Sequence, residues 1–157
     1  MALLGNIIWF FSGGFVLFLL YMLGAIFFFP MFIPLSRLAF YAAWPFGKGV
    51  VTQSQLSAYR KSSGNQEELS AATSGLRAAS SIMNIVWLLT FGWMLALTHL
   101  VASFVNLCFF WTIVAIPNIV GNWKLIGIAL MPFNKVVLPK ALVDQINIGA
   151  ARARHQI

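Results

Sequence analysis

The stretch PNIVGNWKLIGIALMPFNKVV, residues 117–137, decides the fold of this chain because the sequence contains it twice. The earlier copy is PMFIPLSRLAFYAAWPFGKGV, residues 30–50, and seven of its 21 positions are identical to the later copy. At an eighth position one cation replaces another, Arg37 in the first copy and Lys124 in the second. In both copies a proline opens an apolar run, and Pro-Phe followed by a second cation closes it. The repetition predicts two copies of one structural unit.

A second matching block precedes each of these stretches. Residues 6–19, NIIWFFSGGFVLFL, match residues 84–97, NIVWLLTFGWMLAL, at six positions that include the asparagine, the tryptophan and a glycine. Corresponding residues are 78 positions apart in this block and 87 apart in the proline block, so the second copy has nine extra residues between its blocks. We therefore divide the chain into a first membrane repeat at 1–50, a partly helical polar cytoplasmic loop at 51–80, a second membrane repeat at 81–138 and a basic cytoplasmic tail at 139–157.

Composition identifies the units as membrane-embedded. The chain of 157 residues is 61% hydrophobic and 8% charged, whereas soluble domains carry about 25% charged residues. No charged side chain precedes Arg37, and the 46 residues between Arg77 and Lys124 contain no Lys, Arg, Asp or Glu. Charge-free runs of this length argue against a soluble core and predict membrane segments. Because the N-terminus has no basic region and its apolar run is too long, we expect no cleaved signal sequence.

The apolar runs differ in length. As a helix, residues 6–29 rise about 36 Å, which is enough for a hydrocarbon core of about 30 Å. The Pro-bounded run at 30–45 reaches only about 22 Å, so it is a thin second arm of a hairpin, a re-entrant helix or an interfacial helix. The run at 84–116 is about 50 Å long and must tilt, project from the membrane or break near Asn106. A capping-box pattern at residues 65–68 predicts a helix that starts near residue 66 and continues into the membrane.

The distribution of charge sets the expected topology. The net charge is +7, and eight of the ten Lys and Arg residues fall in two polar stretches, which begin at Lys48 and at Lys135. Basic loops stay on the cytoplasmic side, so the N-terminus, the loop and the C-terminus are predicted to be cytoplasmic. We expect the basic residues to lie beside anionic lipid headgroups and not to bind nucleic acid. Each copy must then cross an even number of times or re-enter, which makes the copies parallel repeats. The tail is either a short amphipathic helix on the membrane surface or a flexible end.

The predicted fold is therefore an all-α integral membrane protein of two parallel repeats. Each repeat has a long transmembrane helix and a shorter Pro-bounded membrane-embedded helix, which gives about four membrane segments. Residues that commonly carry chemistry are scarce, since the three acidic residues, Glu67, Glu68 and Asp144, all lie in polar stretches. Neither histidine has a Cys or carboxylate at metal-ligand spacing, and phosphate-loop and nucleophile motifs are absent. We expect no enzyme activity, cofactor or metal, and we expect Cys108 to be a small buried hydrophobic residue.

Six polar residues in the apolar runs are candidate pore or lipid-headgroup contacts: Arg37, Lys124, His99, Asn106, Asn118 and Asn122. An intramembrane cation costs about 2.5–3.5 kcal/mol, and each copy has one at the same position. In one interpretation, Arg37 and Lys124 have a function: they line a water-filled path, attract anions or hold lipid phosphates. In the other, both side chains simply extend to the headgroup layer from short, shallow helices. His99 and Asn106 share one helix face, where they form interhelical hydrogen bonds or line a polar pore.

Small and aromatic residues indicate packing faces and interfacial anchors. The residues predicted to let helices approach closely are Gly13, Gly14, Gly92 and Ala96. The residues predicted to anchor the chain at the membrane surface lie near the ends of the apolar runs, and they are Trp9, Trp44, Lys48, Trp87 and Lys135.

The two-block pattern, N-I-x-W…G-[FW] followed by P-x6-[RK]-x7-P-F-x-K, resembles the YccF family of bacterial inner-membrane proteins. The resemblance covers residues 6–50 and 84–138, with one departure at Pro34, where the second copy has Gly121. It implies a multi-pass protein of the bacterial inner membrane, with a repeated inner-membrane domain. It transfers no active-site residue to this chain.

Two functions fit these features. The first is a homo-oligomeric channel-like or transport-associated component. Four short segments cannot enclose a path alone, whereas several copies of the chain can. Arg37 and Lys124 would then make the path selective for anions. The alternative is a structural or accessory membrane protein that binds lipid headgroups or a partner protein without transport. The expected partners are membrane lipids and further copies of this chain, with no nucleic acid and no particular protein indicated.

Overall fold

The computed structural model describes residues 2–64, 71–112 and 114–155, and these residues are mostly helical. The helices are α1 (Ala2–Trp9), α2 (Phe15–Phe27), α3 (Phe32–Ala43), α4 (Gln53–Ser62), α5 (Ala71–Trp87), α6 (Trp93–Cys108), α7 (Ala115–Leu130) and α8 (Lys140–His155). The strands are β1 (Lys48–Thr52) and β2 (Lys135–Pro139). π-helical turns at Phe10–Gly14 and Leu88–Gly92 join α1 to α2 and α5 to α6, and a 3₁₀ turn at Phe29–Met31 precedes α3.

Among the described residues, two helices are long and apolar enough to cross a membrane. They are Ala2–Phe27, with 26 residues, and Ala78–Cys108, with 31 residues. The second apolar run breaks after Cys108, close to the break expected at Asn106. α5 continues through its π-helical turn into α6, as expected for a helix that runs on from the polar loop. The predicted capping box at residues 65–68 lies outside the described residues.

Each long helix folds back on a short helix to form a hairpin, and prolines set the ends of the short helices. α3 and α7 end before Pro45 and Pro132, which cannot continue a helix. Pro34 and Pro117 are each the third residue of their helix, where the backbone nitrogen needs no intrahelical partner. The prolines therefore bound these helices without interrupting their hydrogen bonding.

An asparagine bridges the two arms of each hairpin at its open end. Asn6 Nδ2 donates to the Phe46 carbonyl at 3.0 Å, and the Phe46 N–H donates to Asn6 Oδ1 at 2.9 Å. Asn84 makes the same two bonds with Phe133, at 3.3 and 3.0 Å. These are corresponding residues of the two predicted copies, so the two matching blocks meet in the same way in each half, although nine more residues separate them in the second.

The all-α expectation is wrong in one place, because each proline block continues into a strand. β1 and β2 form an antiparallel ribbon in which Val50 lies opposite Val137, its counterpart in the second copy. Gly47 and Asn134, with φ of 86° and 64°, turn the chain into the strands, and both residue types tolerate this left-handed conformation. The ribbon relates its two strands by approximate two-fold symmetry and joins the two halves.

The long helices run in opposite directions where they pack, and the parallel orientation of the two copies in the membrane stays a prediction. Near the start of the second, the Trp87 ring lies 5.2 Å from the Phe28 ring at the end of the first. Near the start of the first, Trp9 shares a cavity with Ala102 and Asn106 from the end of the second. Val50 and Val137 of the ribbon pack against the core that these helices share.

The ribbon, α4 and α8 form a layer, here called the polar layer, that has a small core of its own. Four apolar side chains are buried together in it: Val51, Leu56, Val143 and Ile146. Thr52 caps α4 by accepting a hydrogen bond from the Gln55 N–H at 3.2 Å, while Gln55 Oε1 accepts one from the Thr52 N–H at 2.8 Å. Of the two alternatives for the tail, the helix is observed and it packs on the ribbon, while its position on the membrane surface stays a prediction.

Candidate functional site

A cluster of lysines surrounds a cavity between the polar layer and the short helix α7. This cavity, here called the basic cavity, has a volume of about 460 Å³. Its charged lining residues are Lys48, Lys124, Lys135, Lys140 and Asp144. Further polar groups in the lining come from Tyr41 and Asn147. Residues from α3, α7, both strands and α8 therefore converge on one cavity.

The charges around the basic cavity are not balanced. Lys140 Nζ lies 2.9 Å from each carboxylate oxygen of Asp144, one helical turn away. Across the described ranges, no carboxylate pairs with the other three lysines, Lys48, Lys124 and Lys135. Their ammonium groups repel one another, and an anion in the cavity would relieve this repulsion.

Arg37 and Lys124, which we predicted as an equivalent pair, do not lie in one site. Lys124 lines the basic cavity beside the strands, whereas Arg37 is exposed on α3 and is not part of the lining. Lys124 therefore extends from α7 towards the polar layer. This placement fits the headgroup alternative for Lys124 better than a path shared with Arg37.

The other four predicted polar residues form one hydrogen-bonded chain, here called the polar chain, in which His99, Asn118 and Asn122 are buried and Asn106 is half-buried. His99 Nδ1 lies 2.9 Å from Asn122 Oδ1, and Asn122 Nδ2 donates to the Asn118 carbonyl at 3.0 Å. Asn118 Nδ2 in turn donates to Asn106 Oδ1 at 3.2 Å. Sequence reasoning missed Tyr21, whose hydroxyl lies 3.4 Å from His99 Nε2. The polar chain links α2, α6 and α7, as interhelical hydrogen bonds do in membrane proteins.

A second cavity of about 210 Å³, here called the polar cavity, lies beside the polar chain and within the apolar helices. Its polar lining residues are Ser12, Thr98, Asn106, Asn118 and Asn122, and Trp9 forms part of the wall. Gly13 also lines it, with a φ of 147° that L side chains rarely adopt. A Cβ at Gly13 would have nothing within 4 Å, so the close helix packing expected at this residue is wrong.

Trp9 and Trp87 are core residues, and the anchoring role at the membrane surface does not fit them. Their side chains are only 2% and 0% exposed. Each indole N–H donates at 2.7 Å to a carbonyl near the end of its short helix, Ala42 for Trp9 and Ala129 for Trp87. With both the ring and the N–H satisfied inside the protein, neither side chain reaches a headgroup.

Two of the predicted packing glycines make room for these tryptophans. A Cβ at Gly14 would lie 2.5 Å from the Trp9 ring, and one at Gly92 would lie 2.8 Å from the Trp87 ring. The intervening π-helical turns place residues five apart beside each other. The spacing W-x4-G in both copies is therefore a packing signal, while Ala96, the fourth predicted residue, packs at the edge of the core.

Sequence reasoning missed two glycines, each of which contacts the ring of the tryptophan that belongs to the other half of the molecule. A Cβ at Gly24 would lie 2.7 Å from the Trp87 ring, and one at Gly121 would lie 2.7 Å from the Trp9 ring. Gly121 stands where the first copy has Pro34. Because these contacts join residues about 60 and 110 positions apart, no local pattern could have identified them.

The remaining predicted anchors lie close to the polar layer. Trp44 is half-buried just after α3, while Lys48 and Lys135 begin the two strands. Their contact with lipid stays a prediction. Lys140 and Asn147 complete the basic cavity from α8, and they were missed because no sequence signal tied the tail to the strands.

The structure adds no sign of metal chemistry. Across residues 2–64, 71–112 and 114–155, no group of three His, Cys, Asp or Glu side chains lies together as a metal site requires. Cys108 is exposed at the end of α6, so the expected burial of this residue is wrong. It is the last residue of α6, where the helix stops and the chain turns.

Comparisons with known proteins agree with the membrane character of the chain. Residues 82–135 match the family model YccF, described as an inner membrane component domain. The inner membrane protein YccF of Escherichia coli (strain K12) is 30% identical over 108 residues, which cover 68% of this chain and 71% of that protein. The protein of the same name from Shigella flexneri matches with the same identity and coverage. No solved structure matches the chain significantly.

Proposed function

Because the chain belongs to the YccF family of inner membrane proteins, we propose that its basic polar layer faces the cytoplasm and binds anionic lipid headgroups. The resemblance inferred from the two sequence blocks is confirmed, and so is the inner-membrane location. In this proposal the protein is a structural or accessory component of the membrane. The family itself carries no activity to this chain, so the proposal rests on the chain's own residues.

One observation supports the proposal above others: the ribbon brings both basic segments of the chain into one layer. The cations of this layer are Lys48, Arg60, Lys61, Lys135, Lys140 and Arg152. Asp144 is the layer's one carboxylate within the described ranges. Basic segments stay on the cytoplasmic side, and each Lys or Arg near an anionic membrane surface contributes about 1 kcal/mol of attraction. We accordingly place both termini on the cytoplasmic side.

The helical layer supplies the membrane-embedded part of the proposal. Large apolar side chains are exposed along both long helices, for example Phe11 at 83% and Leu89 at 73%. Contiguous apolar exposure of this kind is suited to hydrocarbon and unfavourable in water. We propose four embedded segments, namely the two long helices with α3 and α7, arranged as two copies of one hairpin.

The orientation is tested by labelling single cysteines in intact cells. In a Cys108→Ser background, Ser63→Cys and Ala151→Cys place thiols in the exposed part of the polar layer. A membrane-impermeant maleimide added outside should leave both unlabelled until the inner membrane is opened. Labelling of both thiols in intact spheroplasts would contradict the cytoplasmic placement.

The headgroup role is tested by reconstituting purified protein in nanodiscs of neutral or anionic lipid. Phosphatidylglycerol should raise the thermal unfolding temperature above that in phosphatidylcholine, and salt should weaken the increase because exposed charges are screened. An unfolding temperature that ignores lipid charge at every salt concentration would refute the role.

A homo-oligomeric channel-like or transport-associated component is the second candidate function, and the polar chain favours it. Polar residues within membrane segments usually mark a path or an interhelical contact. In an oligomer, the polar cavity beside this chain would join with its copies to form a path. Cross-linking through Cys108 and ion flux from liposomes test this candidate, and a monomer without flux at several voltages would remove it. In either case we propose no catalytic role.

A further inference from the structure

We propose that the basic cavity is a specific binding site for the phosphate group of an anionic ligand. This inference rests on the proposed headgroup-binding function and narrows it from a charged layer to one cavity. The ligand class is a phosphate ester, either the phosphodiester of an anionic lipid or a free phosphate group.

The chemistry of the lining matches phosphate. Lys48, Lys124 and Lys135 supply three ammonium groups that no carboxylate neutralises across the described ranges. Ammonium groups only donate hydrogen bonds, and phosphate oxygens only accept them once ionised. Tyr41 and Asn147 add a hydroxyl and an amide that also donate. The cavity therefore offers an excess of positive charge and of donors at the same place.

The fold fixes these groups from several directions. Lys48 and Lys135 begin the two strands, directly after the positive-φ residues Gly47 and Asn134. Lys124 comes from the middle of α7, and Tyr41 comes from α3 with only 4% of its surface exposed. Cations that converge from separate elements differ from a run of charge on one solvated helix, whose side chains spread apart.

The size of the cavity also suits a phosphate ester. Its volume of about 460 Å³ falls within the range of about 300–1,000 Å³ that is common for small-molecule sites. Such a space holds a glycerophosphate headgroup as well as inorganic phosphate. It opens between the polar layer and α7, where the headgroup layer meets the hydrocarbon in the proposed orientation.

The test compares two pairs of lysine and arginine substitutions that remove the same charge. Lys124→Gln with Lys135→Gln alters the basic cavity, and Lys61→Gln with Arg152→Gln alters exposed cations of the same layer outside it. Purified full-length protein in a nonionic detergent is titrated with dihexanoyl-phosphatidylglycerol, dihexanoyl-phosphatidylcholine or inorganic phosphate. The thermal unfolding temperature reports binding, because a ligand of the folded state raises it in a saturable way.

We expect saturable stabilisation by the anionic probes and none by phosphatidylcholine. The cavity pair should weaken the apparent Kd by about tenfold or more, since two charge-assisted contacts are lost, while the control pair should change it by less than about threefold. Lys124→Arg with Lys135→Arg keeps both charges and should retain most of the binding. A stronger response to the lipid than to inorganic phosphate would identify a lipid headgroup as the source, and an equal response would identify a free phosphate.

Equal losses in the cavity pair and the control pair would overturn the cavity site while leaving a diffuse headgroup-binding layer intact. The cavity site is also overturned, and the headgroup-binding layer retained, if stabilisation by the soluble probes does not saturate while anionic nanodiscs still stabilise the protein. If neither soluble probes nor anionic nanodiscs stabilise it, both the site and the proposed function fall. Where the cavity pair fails to fold, the arginine pair decides, since loss of binding with both charges retained would also count against the site.

Discussion

Trp9 and Trp87 occupy corresponding places in the two halves, but their surroundings are very different. Around Trp87, the rings of Phe28, Phe91 and Phe133 lie 5.2, 5.9 and 6.0 Å away. These rings fill the space between the two hairpins. Aromatic pairs at such separations stabilise a core beyond the area that they bury.

Around Trp9, the residues that correspond to Phe91 and Phe28 are Gly13 and Asn106. The space that the rings would occupy is the polar cavity of about 210 Å³, and Phe46 is the ring that still contacts Trp9, at 6.0 Å. The same frame of indole, glycine and carbonyl thus holds an aromatic cluster in one half and a cavity in the other. The difference shows that aromatic packing is concentrated around Trp87, while the Trp9 half leaves a space that several polar side chains border.

The largest effect is expected from Trp87→Ala. It should lower the free energy of unfolding by about 3–5 kcal/mol, because it removes a fully buried indole and leaves a cavity. Trp9→Ala should cost at least about 1 kcal/mol less, since this indole has fewer aromatic neighbours and already borders a cavity. Reversible unfolding in mixed micelles measures both values, and equal losses would mean that the two surroundings are energetically the same.

Intermediate effects are expected where each tryptophan meets the glycine of the facing half. Gly24→Ala should cost about 1–3 kcal/mol, because its Cβ would overlap the Trp87 ring, which neighbouring rings hold in place. Gly121→Ala should cost less, because the Trp9 ring can shift into the polar cavity. Gly127→Ala on α7 is the control, since a Cβ there meets nothing within 4 Å. If Gly121→Ala lowers the free energy of unfolding more than Gly24→Ala does, the Trp9 ring cannot move into the polar cavity.

The elements of this comparison that local sequence pattern controls were predictable. Apolar runs predicted the helices, and Pro45 and Pro132 predicted the ends of two of them. The length of the second run left a tilt, a projection or a break near Asn106 as alternatives, and the helix ends at Cys108. Asn and His stand out in apolar helices, and the structure joins four of the predicted polar residues in the polar chain, while their role as pore or headgroup contacts stays a prediction. Gly14 and Gly92 were predicted to be helix-packing residues, but their fixed spacing from Trp9 and Trp87 was not recognised.

What the sequence did not reveal depends on contacts between distant residues. The ribbon has five residues in each strand, and Val-Val after a Pro-Phe-Gly or Pro-Phe-Asn turn is a weak strand signal that an all-α interpretation overlooked. The opposite helix directions are decided by Trp87 against Gly24 and Trp9 against Gly121. Counting basic residues limits which segments share a face, and it leaves the direction of the helices undetermined.

A smaller effect is expected from Asn122→Leu, which imports the apolar residue found at the corresponding position in the first copy, Leu35. The change removes the 2.9 Å contact with His99 and the bond to the Asn118 carbonyl. We expect a loss of about 0.6–1.7 kcal/mol, the range for such interhelical bonds in membranes. Thr98→Val is the control in the same cavity, because its hydroxyl bonds only within its own helix, to Met94. A gain in stability for Asn122→Leu would show that the polar chain does not stabilise the fold.

The smallest change in stability is expected from Asn106→Phe, which imports the ring of Phe28 into the polar cavity. The ring gains buried apolar surface but removes the acceptor that Asn118 Nδ2 uses at 3.2 Å. These two terms are each about 1–2 kcal/mol and of opposite sign, so the net change should stay within about 1 kcal/mol. The reciprocal change, Phe28→Asn, is the control and should be clearly destabilising, because it opens the aromatic cluster and buries an unpaired amide. A loss above about 2 kcal/mol for Asn106→Phe would mean that the polar cavity cannot accept a ring, and the two surroundings would then differ in backbone shape as well as in side chains.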